Sequence, residues 1–132
     1  MEYNQLVKIA GEVKEKAYAR YSGFKVGAAL IAESGKLYTG VNIENATYGA
    51  TCCAERTAVF KAVSEGETGI DAIAIASDSS DVIYPCGICR QVLAEFGSSD
   101  MKVICSKSNG EYIVYTLEQL LPNAFESSRF KK

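Results

Sequence analysis

The chain has 132 residues, 48% of them hydrophobic, and a formal net charge of −2 with acidic and basic residues interspersed. This length predicts one domain, residues 1–132, around a single hydrophobic core. Apolar stretches such as Val26–Ala32 are far shorter than the roughly 20 residues of a membrane-spanning helix, and residues 1–6 carry no pattern typical of a signal peptide. No basic face that would neutralise phosphates is visible, which disfavours DNA or RNA and favours a small-molecule partner.

The sequence predicts nine helices and strands in the order α-β-β-α-β-α-β-β-α. In chain order they span residues 4–18, 26–32, 36–41, 53–65, 70–77, 85–96, 101–105, 112–115 and 117–121. The first helix is indicated by apolar residues at helical spacing, and the strands by short apolar runs. A polar tail at residues 126–132 is expected to be flexible.

Turn and cap residues delimit these elements. Ser34-Gly35 predicts the turn of a hairpin between the first two strands, and Asn109-Gly110 is a strong signal for an antiparallel hairpin between the last two. Pro85 suits the first turn of its helix. Thr116 is the predicted N-cap of the last helix, with Gln119 three residues later.

The alternation of strands and helices predicts an α/β fold. Two β-α-β passages imply a mixed sheet of five strands with parallel central pairs, helices packed against it and hairpins at its edges. Neither an internal repeat nor a linker interrupts the chain, which again indicates one domain.

The cysteines favour a metal or catalytic site over disulfides. Their number is odd, adjacent thiols do not easily pair, and the sequence contains no histidine. In a chain expected in the cytoplasm, such clusters are typical of metal-binding or catalytic sites. The five cysteines are Cys52, Cys53, Cys86, Cys89 and Cys105.

Three of these thiols have the spacing of a zinc site. Cys86 and Cys89 are three residues apart and share one face of a helical turn, while Cys53 stands two residues before Glu55. Both segments begin predicted helices, where the helix dipole lowers a thiol pKa and favours the thiolate. Three sulfur ligands leave one coordination position open, as in catalytic zinc sites. Without a histidine, Glu55 is the natural group to move protons there.

Other interpretations of these residues stay open. A Cys-x-x-Cys pair alone is also typical of a redox dithiol or a structural zinc knuckle. Cys52 could be a fourth thiolate that closes the site, although neighbouring cysteines rarely reach one tetrahedral ion without strain. We expect Cys52 and Cys105 to be small buried apolar residues.

A cation is expected close to the metal site because three thiolates on Zn²⁺ sum to −1. Arg56 could donate hydrogen bonds to a thiolate, or it could be an ordinary arginine on the helix surface. Arg90, directly after Cys89, is a weaker candidate for the same role.

Five segments together resemble the cytidine deaminase family, of the small homotetrameric kind, over nearly the whole chain. They are Phe24-Lys25-Val26-Gly27-Ala28-Ala29, Asn42-Ile43-Glu44-Asn45-Ala46, Cys53-Ala54-Glu55-Arg56-Thr57-Ala58, Pro85-Cys86-Gly87-Ile88-Cys89-Arg90-Gln91 and Leu120-Leu121-Pro122-Asn123-Ala124-Phe125. In the zinc nucleobase-deaminase signature, Cys53 takes the place of the histidine. The resemblance implies a three-layer α-β-α fold with helices on both faces of the sheet.

The resemblance also implies a role for each site residue. Cys53, Cys86 and Cys89 would bind one zinc ion per chain, and Glu55 would be the proton shuttle. Phe24 and a backbone N–H near Ala54 would contact the pyrimidine. Asn42 and Glu44 would hold the ribose hydroxyls. Arg56 would offset the thiolate charge. Phe125 would reach the pocket of an adjacent subunit, with the loop of Tyr48 at the same interface.

The implied reaction is hydrolytic deamination of cytidine and 2′-deoxycytidine to the uridines with release of ammonia, a step of pyrimidine salvage. Three alternatives remain. A blasticidin-S-type deaminase would share the zinc chemistry, a non-catalytic zinc-binding domain would have Cys52 on the metal, and a polynucleotide editor is disfavoured by the acidic balance. Asn42 and Glu44 taken singly could be polar loop residues, and Phe24 a core residue.

Overall fold

The computed structural model describes residues 1–126, and the predicted order of elements is confirmed there. The elements are α1 (Tyr3–Val13), β1 (Val26–Ala32), β2 (Leu37–Val41), α2 (Ala54–Ser64), β3 (Ile70–Ser77), α3 (Gly87–Phe96), β4 (Gly97–Ser106), β5 (Tyr112–Thr116) and α4 (Leu117–Leu120). The polar tail predicted for residues 126–132 lies, beyond Glu126, outside the described residues. Within the described part, no helix combines the length and apolar character needed to cross a membrane.

The five strands form one mixed sheet in the order β2-β1-β3-β4-β5. Only β3 and β4 pair in parallel, whereas β1 pairs with both β2 and β3 in antiparallel register. The prediction of two parallel central pairs is therefore wrong, because β1 inserts between β2 and β3 and the β2-α2-β3 passage joins strands that are not neighbours. The five-stranded mixed α/β fold is confirmed.

Helices cover both faces of the sheet. On one face α1 packs through Leu6 and Ala10 against alanines of β1 and β3, among them Ala74. On the other face α2, α3 and α4 bury Val59, Leu93 and other apolar side chains against the larger residues of the strands. Alternation along β3 separates the two cores, since successive side chains of a strand point to opposite faces. The sheet thus lies between two layers of helices, which is the predicted three-layer α-β-α arrangement.

A close contact between β2 and α2 fixes the beginning of α2. A Cβ atom on Gly40 would lie 2.7 Å from the carbonyl oxygen of Ala54 and would also clash with the backbone nitrogen of Ala58. Glycine is thus required for this approach. Because Ala54 is the first residue of α2, the contact positions the helix end that carries Glu55.

Two predicted helix boundaries differ from the structure by more than one residue. The first helix ends at Val13 and is followed by a 3-10 turn, after which the chain becomes extended. The extended segment pairs with the residues after β2, since the Tyr18 N–H donates to Asn42 O at 3.0 Å. Pro85 precedes α3 instead of lying in its first turn, because Cys86 is the N-cap. The capping box of Thr116 and Gln119 is present as predicted.

Candidate active site and metal centre

The ends of two helices bring three thiols together. Cys53 is the N-cap of α2 and Cys86 is the N-cap of α3, both with extended backbone, while Cys89 lies in the first turn of α3 and is fully buried. Their Sγ atoms all lie within 4.8 Å of one another, and the Sγ atoms of Cys53 and Cys86 are 3.9 Å apart. Glu55 and Arg56, the other residues predicted to lie near the metal, are in the first turn of α2, two and three residues after Cys53.

The sulfur geometry fits a zinc ion. Tetrahedral Zn–S bonds of about 2.3 Å place two sulfurs about 3.8 Å apart, close to the observed separation of Cys53 and Cys86. The pKa of the Cys53 thiol is lowered to about 5 by its hydrogen bond with Cys89 and further by Arg56. The same hydrogen bond raises the pKa of Cys89, so Cys53 ionises first, and thiolates are the form that zinc binds. Within the described residues, the group of thiols that could hold a metal consists of Cys53, Cys86 and Cys89.

Arg56 lies against this group. Its Nη2 donates a hydrogen bond to Cys53 Sγ at 3.2 Å. The side chain is half-buried, so the guanidinium charge acts on the sulfur with less screening than at the surface. Of the two interpretations, the contact with a thiolate is the one that the geometry supports.

Glu55 is a buried carboxyl group in the first turn of α2. Its side chain is 5% exposed, and burial raises its pKa to about 7. A carboxyl group with a pKa near neutrality can accept a proton and return it with little free-energy cost in either direction. Glu55 is therefore suited to general acid–base chemistry beside the three thiols.

A cleft of about 570 Å³ opens over the thiols, a size typical of small-molecule pockets. Seven residues whose roles the family resemblance implies contribute to its wall. They are Phe24, Asn42, Glu44, Cys53, Ala54, Glu55 and Cys86. Residues at or next to the ends of β1, β2, α2 and α3 thus meet at one concave surface. Glu55 and the thiols are contributed by the beginnings of the two helices, and Asn42 and Glu44 by the segment after β2.

Hydrogen bonds hold both polar residues that follow β2. The Asn42 amide bridges the start of β1, accepting from Val26 N and donating to Phe24 O, each at 2.8 Å. Glu44 Oε1 accepts from the N–H groups of Tyr21 and Ser22 at 2.9 and 3.0 Å, and the Ser22 hydroxyl donates to its other oxygen. The bonds from Ser22 lower the pKa of Glu44, so this carboxylate is ionised at neutral pH.

Phe125, for which a contact with substrate is predicted, does not reach the cleft of its own chain. Its side chain is 63% exposed, and its carbonyl oxygen accepts a hydrogen bond from Gln91 Nε2 at 2.7 Å. Tyr48 is 77% exposed and contacts Tyr21 edge-on, with ring centroids 6.2 Å apart. Both aromatic residues therefore face outward.

The two cysteines outside the thiol group differ from each other. Cys105 is fully buried in the core, as expected. Cys52 is only half-buried, so the expectation of a buried residue is wrong for it. Its backbone pairs with that of Ile43 through hydrogen bonds of 2.9 and 3.0 Å. The chain at Cys52 therefore runs alongside the polar segment that follows β2. Cys52 does not belong to the group of three thiols.

Several residues of the cleft were not predicted from the sequence. Ser22 and Val26 flank Phe24, and this neighbourhood could have indicated them. Ile83 and Tyr84 precede Pro85, with no pattern that would single them out. Arg90, the weaker of the two candidates for a cation beside the thiols, lines the cleft too, but its guanidinium donates to the carbonyl oxygens of Pro85 and Leu120 instead of to a thiolate.

Comparison with known proteins identifies the family. Residues 1–106 match the family model described as the cytidine and deoxycytidylate deaminase zinc-binding region. The chain is 48% identical over 125 residues to cytidine deaminase of Halalkalibacterium halodurans, covering 95% of each chain. The crystal structure of cytidine deaminase from Burkholderia pseudomallei superposes with a TM-score of 0.91 at 44% identity, over 95% of this chain and 100% of that one. Blasticidin-S deaminase of Bacillus cereus is 33% identical over 128 residues, 89% of this chain and 88% of that protein. With its three converging thiols and buried glutamate, the chain belongs to the zinc-binding family of cytidine and deoxycytidylate deaminases.

Proposed function

We propose that the chain hydrolyses cytidine and 2′-deoxycytidine to uridine and 2′-deoxyuridine and releases ammonia. The observation that carries this proposal is that Glu55, buried and with a pKa of about 7, lines one cleft together with Cys53 and Cys86, whose sulfurs lie within 4.8 Å of each other and of the buried Cys89 sulfur. The high identity to cytidine deaminase of Halalkalibacterium halodurans supports this choice of substrate.

Cys53, Cys86 and Cys89 would hold one zinc ion per chain. Bound zinc supplies a Lewis acid that lowers the pKa of water and so provides a nucleophile at neutral pH. Arg56 donates to Cys53 Sγ at 3.2 Å and offsets the negative charge of the three thiolates. This compensation matters because an uncompensated anionic ligand set would oppose the loss of a proton from the water.

Glu55 moves the protons of the reaction. Its carboxylate takes a proton from the attacking water and delivers it to ring N3, which makes C4 more electrophilic. After C4 has become tetrahedral, the same carboxylate takes the proton of the new C4 hydroxyl and passes it to the amino nitrogen, and the C4–N bond breaks to give ammonia as the C4 carbonyl forms. Burial of Glu55 keeps bulk water away from these transfers.

The rest of the cleft positions the nucleoside. The Phe24 ring packs against the planar pyrimidine, and the Ala54 N–H, at the start of α2, donates to the pyrimidine carbonyl oxygen. Asn42 and Glu44 bind the ribose hydroxyls. Because the Glu44 carboxylate is ionised, it disfavours a phosphate close to the sugar.

We also propose a homotetramer in the cytoplasm that acts in pyrimidine salvage. Exposed apolar side chains support the assembly, since Tyr48, Ile88 and Phe125 are each more than 60% exposed. In the tetramer Phe125 would complete a neighbouring pocket. All five cysteines are free thiols, which suits the reducing cytoplasm.

A blasticidin-S-type activity is the second candidate, supported by the 33% identity to that deaminase of Bacillus cereus. Both activities would use the same thiols and Glu55, so the sugar-binding end of the cleft decides between them. The amide of Asn42 and the carboxylate of Glu44 are good partners for a ribose diol and favour cytidine. A non-catalytic zinc domain is disfavoured because Cys52 lies outside the thiol group.

Spectrophotometry of nucleoside loss, together with ammonia release, tests the proposal. We expect rapid conversion of cytidine and 2′-deoxycytidine, and far slower conversion of free cytosine, because binding energy from the ribose helps to position the base. Blasticidin S serves as the competing substrate. Faster turnover of blasticidin S than of cytidine, or no ammonia from either nucleoside, would contradict the proposal.

A further inference from the structure

We propose that Arg90 is a positioning residue that fixes the peptide bond in front of Cys86 and ties it to α4. The inference rests on the proposed function in one respect, namely that Cys86 binds zinc. Arg90 itself touches neither a thiol nor, in this proposal, the substrate. Its effect is on the place of the Cys86 sulfur.

Arg90 holds the backbone on both sides of Cys86. Its Nε donates to Pro85 O at 2.7 Å, and its backbone N–H donates to Cys86 O at 2.9 Å in the first turn of α3. Two successive carbonyl groups are thus bound by the same residue. The backbone bond is the regular helical one and remains in any variant, so the bond from Nε to Pro85 O is the contact by which the Arg90 side chain orients the Pro85–Cys86 peptide and, with it, the Cys86 side chain.

Cys86 is the thiol that most needs such support. Cys89 is fully buried in the core, and Cys53 receives a hydrogen bond from Arg56. Cys86 is exposed, so packing does not restrict its side chain to one place. Its sulfur position is therefore set mainly by the backbone that Arg90 holds.

The second anchor of the guanidinium lies far away in sequence. Arg90 Nη1 donates to Leu120 O in α4, also at 2.7 Å. Carbonyl oxygens 35 positions apart are thereby bridged by one planar group, because the N–H donors of a guanidinium point in fixed, divergent directions. A lysine ammonium, being a single point charge, cannot reproduce this fork. None of the ion pairs within residues 1–126 involves Arg90, which leaves the two carbonyl groups as its observed side-chain partners there.

The test measures zinc affinity and ligand geometry in Arg90→Gln and Arg90→Lys. Zinc affinity is obtained by competition with a chromophoric chelator, and the geometry from the absorption spectrum of the Co²⁺-substituted protein. We expect Arg90→Gln to weaken zinc binding by about 10–100-fold, the usual cost of losing a group that orients a ligand, and to shift the Co²⁺ bands. Arg90→Lys should not restore either property.

Thr116→Ala is the matched control. It removes the side-chain cap of α4, which accepts from Gln119 N at 3.3 Å, and leaves the bond to Pro85 untouched. We expect it to lower thermal stability and to keep the zinc affinity within about threefold of the parent, well below the 10–100-fold cost of a lost ligand-orienting group.

Three outcomes would overturn the inference. They are parent-like zinc affinity and Co²⁺ spectra in both Arg90 variants, an equal loss of zinc affinity in Thr116→Ala, and failure of Arg90→Lys to fold, which would assign Arg90 to global stability. The proposed function is tested separately by cytidine turnover of the parent. A parent that binds zinc without deaminating cytidine would refute the function and leave the role of Arg90 intact.

Discussion

Substitution Glu55→Gln separates proton transfer from every other contribution of the site. Glutamine keeps the size and shape of the buried side chain but cannot carry a proton at neutral pH. General acid–base catalysis by one group contributes about 10²–10⁴-fold. Because Glu55, with its pKa of about 7, serves several transfers in the proposed reaction, we expect a loss in kcat at or above the upper value. Four orders of magnitude correspond to about 5.4 kcal/mol of lost transition-state stabilisation.

The assay for this variant is the decrease in cytidine absorbance at saturating substrate, with zinc content measured on the same sample. Glu95→Gln is the control, since Glu95 is an exposed residue of α3 and carries the same chemical change. Glu55→Gln should keep its zinc and its folded state. A kcat within roughly tenfold of the parent, below the range for general acid–base catalysis, would refute the role of Glu55 as proton shuttle.

Three further predictions concern the metal, the fold and the assembly. Cys86→Ala should lose most of its zinc by elemental analysis while Cys52→Ala keeps it, and the reverse result would overturn the ligand assignment. Gly40→Ala should lower the free energy of unfolding by about 1–3 kcal/mol in urea titrations, since its Cβ would clash with α2. Gly49→Ala, where a Cβ meets no atom within 4 Å, is the control, and equal losses would contradict the packing argument. Truncation after Pro122 should reduce both assembly, measured by light scattering, and turnover, whereas a fully active monomer in parent or truncated form would show that each site is complete in one chain.

The place of each thiol at the beginning of a helix was predictable because its information is local. Cys86 and Cys89 are spaced for one helical turn, and the Cys53–Glu55 spacing works only at a helix beginning, which is where both segments lie. Chain entry into a helix is specified by neighbouring residues, so spacing could place each group on its own helix. The meeting of the two helix beginnings, whose cysteines Cys53 and Cys86 are 33 residues apart, was implied only by the family resemblance. The strand boundaries of the first hairpin were predictable for the same reason, with Gly35 at a φ of +89° in its turn.

Features that depend on contacts between distant segments were not predictable. The place of β1 between β2 and β3 is a choice of strand partner, which periodicity does not encode. The first helix stops early because the Tyr18 N–H bonds to the backbone of Asn42, 24 residues later in the chain. The partners of the Arg90 side chain are two backbone carbonyl groups. Because every residue has a backbone carbonyl, the sequence contains no pattern that identifies these two.

The most direct test of the account is the dependence of cytidine turnover on zinc. The protein is stripped with a chelator, its metal content is measured, and zinc is returned in steps while cytidine loss is followed. The account predicts that turnover disappears with the metal and is fully restored at one zinc ion per chain, since three thiols form one site. Unchanged turnover in protein free of metal would contradict it.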